Sequence, residues 1–187
     1  MPNVVIIAGP NGAGKSTLAP ALLRDTFNIT EFVNSDIIAE GLSAFAPEEA
    51  AFEAGRVTLK RLKELASAFE DFAFETTLAT RSYAPWLREL KASGYQISLV
   101  FLWLENVDIA IGRVAARVAA GGHSIPEATI RRRYERGLIN LSELYFPIMN
   151  SWRIFHASPM IPKEIARYDE MGGEMVFDPE LWKRIRR

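Results

Sequence analysis

The chain has 187 residues, with 22 Lys and Arg against 23 Asp and Glu, a formal net charge of −1 and no cysteine. That length fits one domain, which can bury about 70% of its unfolded surface and so needs no covalent staple. The charge balance argues against a general nucleic-acid surface, and the absence of cysteine excludes a disulfide framework and thiolate metal sites. No apolar run is long enough to span a membrane, and the opening MPNVVIIAG lacks a charged n-region and a cleavage site, so the cytoplasm is the expected location.

The first predicted element is a strand near 3–8, whose apolar run Val4 to Ala8 leads into Gly9-Pro10-Asn11-Gly12-Ala13-Gly14-Lys15-Ser16-Thr17 and then a helix near 15–24. Gly9, Gly14, Lys15 and Ser16 satisfy Gly-x-x-x-x-Gly-Lys-Ser, the phosphate-binding loop pattern. Glycines let the backbone curl so that successive N–H groups face an anion, and the helix that follows adds partial positive charge. Nucleotide contacts are therefore expected from Gly9 through Thr17, with Lys15 on the outer phosphates and the Ser16 hydroxyl on Mg²⁺.

A second strand is predicted near 31–34, and Asp36 follows the apolar pair Phe32-Val33. A carboxylate there can take the proton of an attacking hydroxyl, although the run Asn34-Ser35-Asp36 is also good capping chemistry. The next helix is predicted near 47–69, with Pro47 in its first turn and Phe52, Leu59, Leu62, Leu65 and Phe69 at helical spacing. Arg56 on this helix reads as a solvated side chain within reach of a substrate.

The third strand, near 71–75, ends in Glu75, with Thr76 and Thr77 behind it. Glu75 can hold Mg²⁺ through water or grip a substrate hydroxyl; the competing reading is a solvated strand end. Thr80 is expected to cap a helix near 81–93 and Gly94 to end it. A fourth strand near 96–103 precedes a helix near 107–119, where Arg113 and Arg117 share a face. Gly121-Gly122 break that helix, and a second, near 126–146, carries Arg131, Arg132, Arg133 and Arg136 opposite and beside an apolar face of Ile130, Tyr134, Leu138, Leu141 and Tyr145. This arginine-rich pair, about 107–140, reads as a lid that clamps phosphates, with Arg117 and Arg133 flanking its hinge. A strand near 151–156, a hairpin near 164–178 turning at Gly172-Gly173, and a helix near 179–186 complete the chain.

Alternating strands and helices behind a first-strand phosphate loop predict an α/β P-loop fold, a parallel sheet with helices on both faces and ligands beyond the carboxyl ends of the strands. The candidate catalytic set is Asp36, Lys15, Arg117 and Arg133; Arg113 joins the nucleotide-binding loop, and Glu75, Thr76 and Thr77 join Asp36 on the substrate side.

Taken alone, GPNGAGKST resembles the phosphate loop of transporter-type ABC ATPases, but no LSGGQ-like signature is present and the strand ISLVFLWLEN ends in Glu105-Asn106 rather than Asp-Glu. The ordered set GPNGAGKST, FVNSD, FETTLAT, RVAARVAAGGHSIPEATIRRRYERGL and DPELW resembles the zeta-toxin family of P-loop kinases in its compact form. The resemblance implies an adenylate-kinase-like sheet of order 2-3-1-4-5, ATP with Mg²⁺, Asp36 as general base, Glu75 on the substrate side and lid arginines on the phosphates. It further implies a small-molecule hydroxyl acceptor, the sugar of UDP-N-acetylglucosamine or another nucleotide sugar, and an antitoxin as protein partner. The chain departs from the family in its shortness and in His156-Ala157, where an Asp-Asn pair is expected before Ser158 at the adenine side; His156 and His123 read as structural. Two other classes share the phosphate loop: a nucleotide-dependent regulatory ATPase with no acceptor but water, and a kinase of polynucleotide 5′-hydroxyls, which needs an electropositive groove.

Overall fold

The computed structural model describes residues 1–43 and 49–186. Pro47, expected in the first turn of a helix, lies outside the described residues. Seven strands form one sheet: β1 (Asn3–Ala8), β2 (Glu31–Val33), β3 (Phe72–Thr76), β4 (Gln96–Trp103), β5 (Ser151–His156), β6 (Lys163–Asp169) and β7 (Gly173–Val176). Their order is β2-β3-β1-β4-β5-β6-β7. The first five pair in parallel in the predicted order 2-3-1-4-5, and β6 and β7 add antiparallel as the C-terminal hairpin.

The sheet explains why β1 shows no alternation of apolar and polar residues. It lies between β3 and β4, and both faces are covered, so Val4 to Ala8 are all buried. Val4, Ile6 and Ala8 face the larger core with Phe72, Phe74, Leu99 and Phe101, while Val5 and Ile7 face a smaller one with Ala19, Leu23 and Ile29. Ala8 stands level with Thr76 on one side and Phe101 on the other, and Val33 stands level with Phe74. The carboxyl ends of β1, β2 and β3 therefore open onto one edge.

Seven helices connect the strands among the described residues: α1 (Lys15–Leu22), α2 (Ser35–Leu42), α3 (Ala51–Ser67), α4 (Tyr83–Ala92), α5 (Val107–Ala119), α6 (Glu127–Asn140) and α7 (Pro179–Ile185). α1 continues as a π-helical turn, Leu23–Phe27, that ends on left-handed Asn28, and α6 continues as a π-helical turn, Leu141–Tyr145. α2 forms a separate short helix that the strand-and-helix reading had not set apart. On α3 the buried face is Ala54, Thr58, Leu62 and Leu65. Phe52 (82% exposed), Phe69 and Leu59 lie outside it, so the predicted apolar stripe was rotated toward larger side chains that the core does not take. The predicted face of α6 does pack: Ile130, Leu141 and Tyr145 are buried, with Tyr134 and Leu138 against them.

Two capping expectations divide. Gly94 follows the end of α4 with φ +99°, as a helix terminator should. Thr80 does not cap α4, which begins at Tyr83; its hydroxyl accepts instead from the Ser82 backbone N–H at 3.2 Å, in the turn ahead of the helix. Among the described residues no helix is long and apolar enough to cross a membrane.

Candidate functional site

The phosphate loop runs from β1 to α1. Gly9, Gly12 and Gly14 adopt φ of 144°, 76° and 88°, which side chains rarely adopt. Gly12 is also sterically required: a Cβ there would lie 2.9 Å from the Ala110 carbonyl oxygen and 3.0 Å from Arg113 Cβ. α1 starts at Lys15, so its free N–H groups face the mouth of the loop. Lys15 is buried, and its Nζ donates to the Pro10 carbonyl at 3.0 Å and lies 3.5 Å from Glu75 Oε1. Burial lowers its pKa below the ordinary 10.5, against the opposing pull of the Glu75 and Asp36 carboxylates. Burial is the larger influence, even with the Glu75 carboxylate 3.5 Å away.

Glu75, at the tip of β3, ties three elements together. Its Oε2 accepts from the Ser16 hydroxyl at 2.8 Å and from Asn34 Nδ2 at 2.8 Å. Asn34 in turn caps α2: its Oδ1 accepts from the backbone N–H groups of Asp36 at 2.8 Å and Ile37 at 3.3 Å. The capping role thus belongs to Asn34, and the Asp36 side chain, in the first turn of α2, lines the cavity. Ser16 and Glu75 offer hard oxygen donors side by side, the kind Mg²⁺ takes when phosphates and waters supply the remaining ligands. No group of three or more His, Cys, Asp or Glu suited to a metal occurs among the described residues.

Beside Lys15 opens a cavity of about 400 Å³, lined by Asn11, Asn34, Asp36, Glu75, Thr76, Thr77, Thr80, Tyr83, Arg132, Arg133 and Arg136. α6 reaches this cavity by resting on the loop after β3. A Cβ at Gly137 would stand 2.5 Å from the Thr77 carbonyl oxygen, so only glycine allows the approach. Asn140 Nδ2 donates to the Leu78 carbonyl and the Tyr145 hydroxyl donates to the Thr80 carbonyl, each at 2.7 Å, which pins the loop to α6 and its π-helical turn. A second cavity of about 330 Å³ adjoins the first, sharing Asp36, Arg132 and Arg133, and extends past Ala39 and Ala51 to His123 and Pro126.

The four arginines of α6 separate. Arg131 faces away, paired with Glu127 at 2.8 Å and Asp108 at 3.1 Å. Arg132, Arg133 and Arg136 line the cavity. The α5 arginines line neither cavity. Arg113 donates to the carbonyls of Gly12, Ala157 and Ser158, at 3.3, 2.9 and 2.7 Å, and so fastens the phosphate loop to the end of β5. Arg117 donates to the His123 carbonyl at 3.2 Å, while its buried Nε has no partner among the described residues. His123 Nδ1 lies 3.4 Å from Glu40 on α2. His156 Nε2 lies 2.9 Å from Glu105 Oε1, beside Trp103, over which Arg184 stacks. Residue-by-residue reading singled out neither Asn34, Thr80 nor Tyr83 as site residues, and it left Arg132 and Arg136 undivided from Arg131; an Asn before Asp36 at the end of β2 was the one available signal.

The family model described as "AAA domain" matches residues 4–136. An uncharacterized protein of Haemophilus influenzae is 31% identical over 130 residues, which are 70% of this chain and 91% of that protein. The AvrRxo1-ORF1:-ORF2 structure with ATP superposes over 100% of the chain with a TM-score of 0.80 at 17% identity. The chain spans 64% of that longer one. The PezAT chromosomal toxin–antitoxin system of Streptococcus pneumoniae superposes over 98% of this chain and 78% of its own, with a TM-score of 0.70 at 16% identity. At such identities the likeness is one of fold, and it agrees with the zeta-toxin resemblance.

Proposed function

We propose, from the premise that this chain belongs to the AAA-domain family of P-loop proteins matched over residues 4–136, that it is a kinase which transfers the γ-phosphoryl group of ATP to a hydroxyl of a small molecule. The observation that carries this reading is the shared cavity: Lys15 of the phosphate loop, the Asp36 carboxylate and Arg132, Arg133 and Arg136 of α6 all border one space at the carboxyl ends of the strands. A switch ATPase has no need of such a chamber beyond its γ-phosphate.

In this proposal the backbone of Gly9 to Thr17 cradles the phosphates and Lys15 holds the outer ones. Ser16, with Glu75 through water, would hold Mg²⁺, which when bound draws charge from the β- and γ-phosphates. Asp36 takes the proton from the acceptor hydroxyl. Glu75, Thr76 and Thr77 orient the acceptor, and Arg133 offsets charge that develops during transfer. Arg117 comes into play if the 107–140 segment moves as a lid, because its guanidinium is turned to His123 here. Arg113 acts on the nucleotide indirectly, by fixing the loop. The best candidate acceptor is a nucleotide sugar such as UDP-N-acetylglucosamine. The fold shared with a toxin–antitoxin system supports an antitoxin partner, and the whole chain acts as one kinase domain in the cytoplasm.

The test is a mass-shift assay of sugars, nucleotide sugars and nucleosides incubated with the protein, ATP and Mg²⁺, with Lys15→Ala as the control. A gain of one phosphate on a compound in the panel, lost in the variant, supports the kinase. ATP consumed at the same rate with and without every acceptor, and no product heavier by one phosphate, contradicts it.

A further inference from the structure

We infer that His123 is a positioning residue: its imidazole holds the Arg117 guanidinium in place for the phosphates of the nucleotide. This deepens the kinase reading and rests on it, because that reading puts Arg117 on the phosphates. The arrangement starts in the backbone. At the end of α5 the Gly121 N–H donates to the Val118 carbonyl at 3.0 Å and the Gly122 N–H to the Arg117 carbonyl at 2.9 Å, with Gly121 at φ +94°. This is a glycine C-cap, and it folds the chain back over the last turn of the helix. Gly122 comes so close that a Cβ there would stand 2.8 Å from Arg117 Cγ. The next residue, His123, is thereby brought beside the arginine.

Three contacts then define the ring. Arg117 donates to the His123 carbonyl at 3.2 Å, and the same terminal nitrogen lies 3.4 Å from His123 Nε2. On the other side, His123 Nδ1 lies 3.4 Å from Glu40 Oε1 of α2. A guanidinium only donates and a carboxylate only accepts. The two neighbours therefore match one form of the ring: neutral, with its proton on Nδ1 toward Glu40 and its lone pair on Nε2 toward Arg117. Glu40 stands four residues after Asp36, on the same face of α2. His123 thus joins Arg117 to the helix that carries the proposed base. The hold leaves Arg117 with a donor to spare, since its buried Nε has no partner among the described residues. Besides burial, the Arg117 charge lowers the Lys15 pKa, so the guanidinium stands within electrostatic reach of the phosphate loop. An entering triphosphate relieves that repulsion.

The experiment reads nucleotide binding, which needs no acceptor. Affinity for a non-hydrolysable ATP analogue with Mg²⁺ is measured by calorimetry on the full chain and its variants. His123→Leu and Arg117→Met are each expected to weaken binding about tenfold, and the double variant to bind no more weakly than Arg117→Met alone. His123→Gln, whose amide oxygen accepts in place of Nε2, is expected to stay within about threefold of wild type. A His123 that only packs the loop gives losses that multiply in the double variant. That result, or unchanged binding in His123→Leu, overturns the inference. The ring itself is read by NMR of protein labelled with ¹⁵N-histidine near neutral pH, the His123 signals being those that His123→Gln removes. Signals of the neutral Nδ1–H form are expected; the Nε2–H form or the doubly protonated ring overturns the inference. Failure of phosphoryl transfer to every compound counts against the kinase reading, while the binding cycle and the ring's tautomer still decide His123.

Discussion

The Glu75 carboxylate accepts a 2.8 Å hydrogen bond from the Ser16 hydroxyl. A group at the tip of β3 thereby holds the second residue of α1, and the same carboxylate lies 3.5 Å from the Lys15 ammonium. The negative charge that braces the phosphate loop is also one that an incoming triphosphate must meet.

Glu75→Gln tests that consequence. Removing the charge relieves repulsion of the outer phosphates, so ATP without metal is expected to bind about tenfold tighter, while phosphoryl transfer falls. Nucleotide titration in the presence of EDTA measures it. Weaker metal-free binding in the variant would show that Glu75 chiefly shapes the loop.

Asn34 joins the α2 cap to Glu75, and two substitutions separate these tasks. Asn34→Ala loses both and should cost about 1–2 kcal/mol of stability in urea unfolding. Asn34→Asp keeps a capping oxygen but sets a second carboxylate against Glu75. Two facing carboxylates raise each other's pKa in the folded state, so the fold binds more protons than the unfolded chain above about pH 4. The deficit of Asn34→Asp should therefore shrink as pH falls from 7.5 toward 5. A deficit independent of pH would deny the Asn34–Glu75 contact.

Gly137 and Gly112 make a contrasting pair. A Cβ at Gly137 meets the Thr77 carbonyl at 2.5 Å, whereas one at Gly112, inside α5, meets nothing within 4 Å. Gly137→Ala should push α6 from the loop and cost about 1–3 kcal/mol. Gly112→Ala should stabilise by up to ~1 kcal/mol through helix propensity. Denaturant unfolding of both variants checks the seating of α6; equal effects would contradict it.

What could be read from the sequence, and what could not, follows from how far apart the interacting groups lie. The phosphate loop was legible because its glycines spell out a backbone conformation locally; the alternation of apolar runs and helices gave a parallel sheet, and the strand order came from the resemblance to the zeta-toxin kinases. Asp36 and Glu75 were legible as carboxylates behind strands. The bond from Asn34 to Glu75 was not, since the partners lie 41 residues apart and nothing local distinguishes a cap that also donates. Spacing put Arg113 and Arg117 on one face of α5, with Arg117 preferred for the chemistry because it flanks the hinge, yet Arg113 meets three carbonyls and Arg117 meets the chain at His123. Helical spacing also put Phe52 and Phe69 on the apolar stripe of the helix predicted near 47–69, because periodicity records side-chain size and not which face the core covers: the buried face is Ala54, Thr58, Leu62 and Leu65, and Phe69 lies past the end of α3.

Burial lowers the Lys15 pKa from the ordinary 10.5 in the free protein, and a triphosphate beside it should raise it again. Between those two values the bound state holds more proton than the free state. Nucleotide binding at alkaline pH, below 10.5, should therefore take up protons, seen as a binding heat that varies with the ionisation enthalpy of the buffer. Lys15→Arg, which keeps its charge throughout, should remove that variation. Proton release in place of uptake would contradict the buried-ammonium account.

The account turns on Asp36 as the group that takes the acceptor's proton, and Asp36→Asn addresses it most directly, with both ATP affinity and phosphoryl transfer measured in the same preparation. The expected result is ATP binding within about twofold of wild type and transfer reduced by about 10²–10⁴-fold. Transfer at the wild-type rate would contradict the account and leave Asp36 as a side chain that merely borders the cavity.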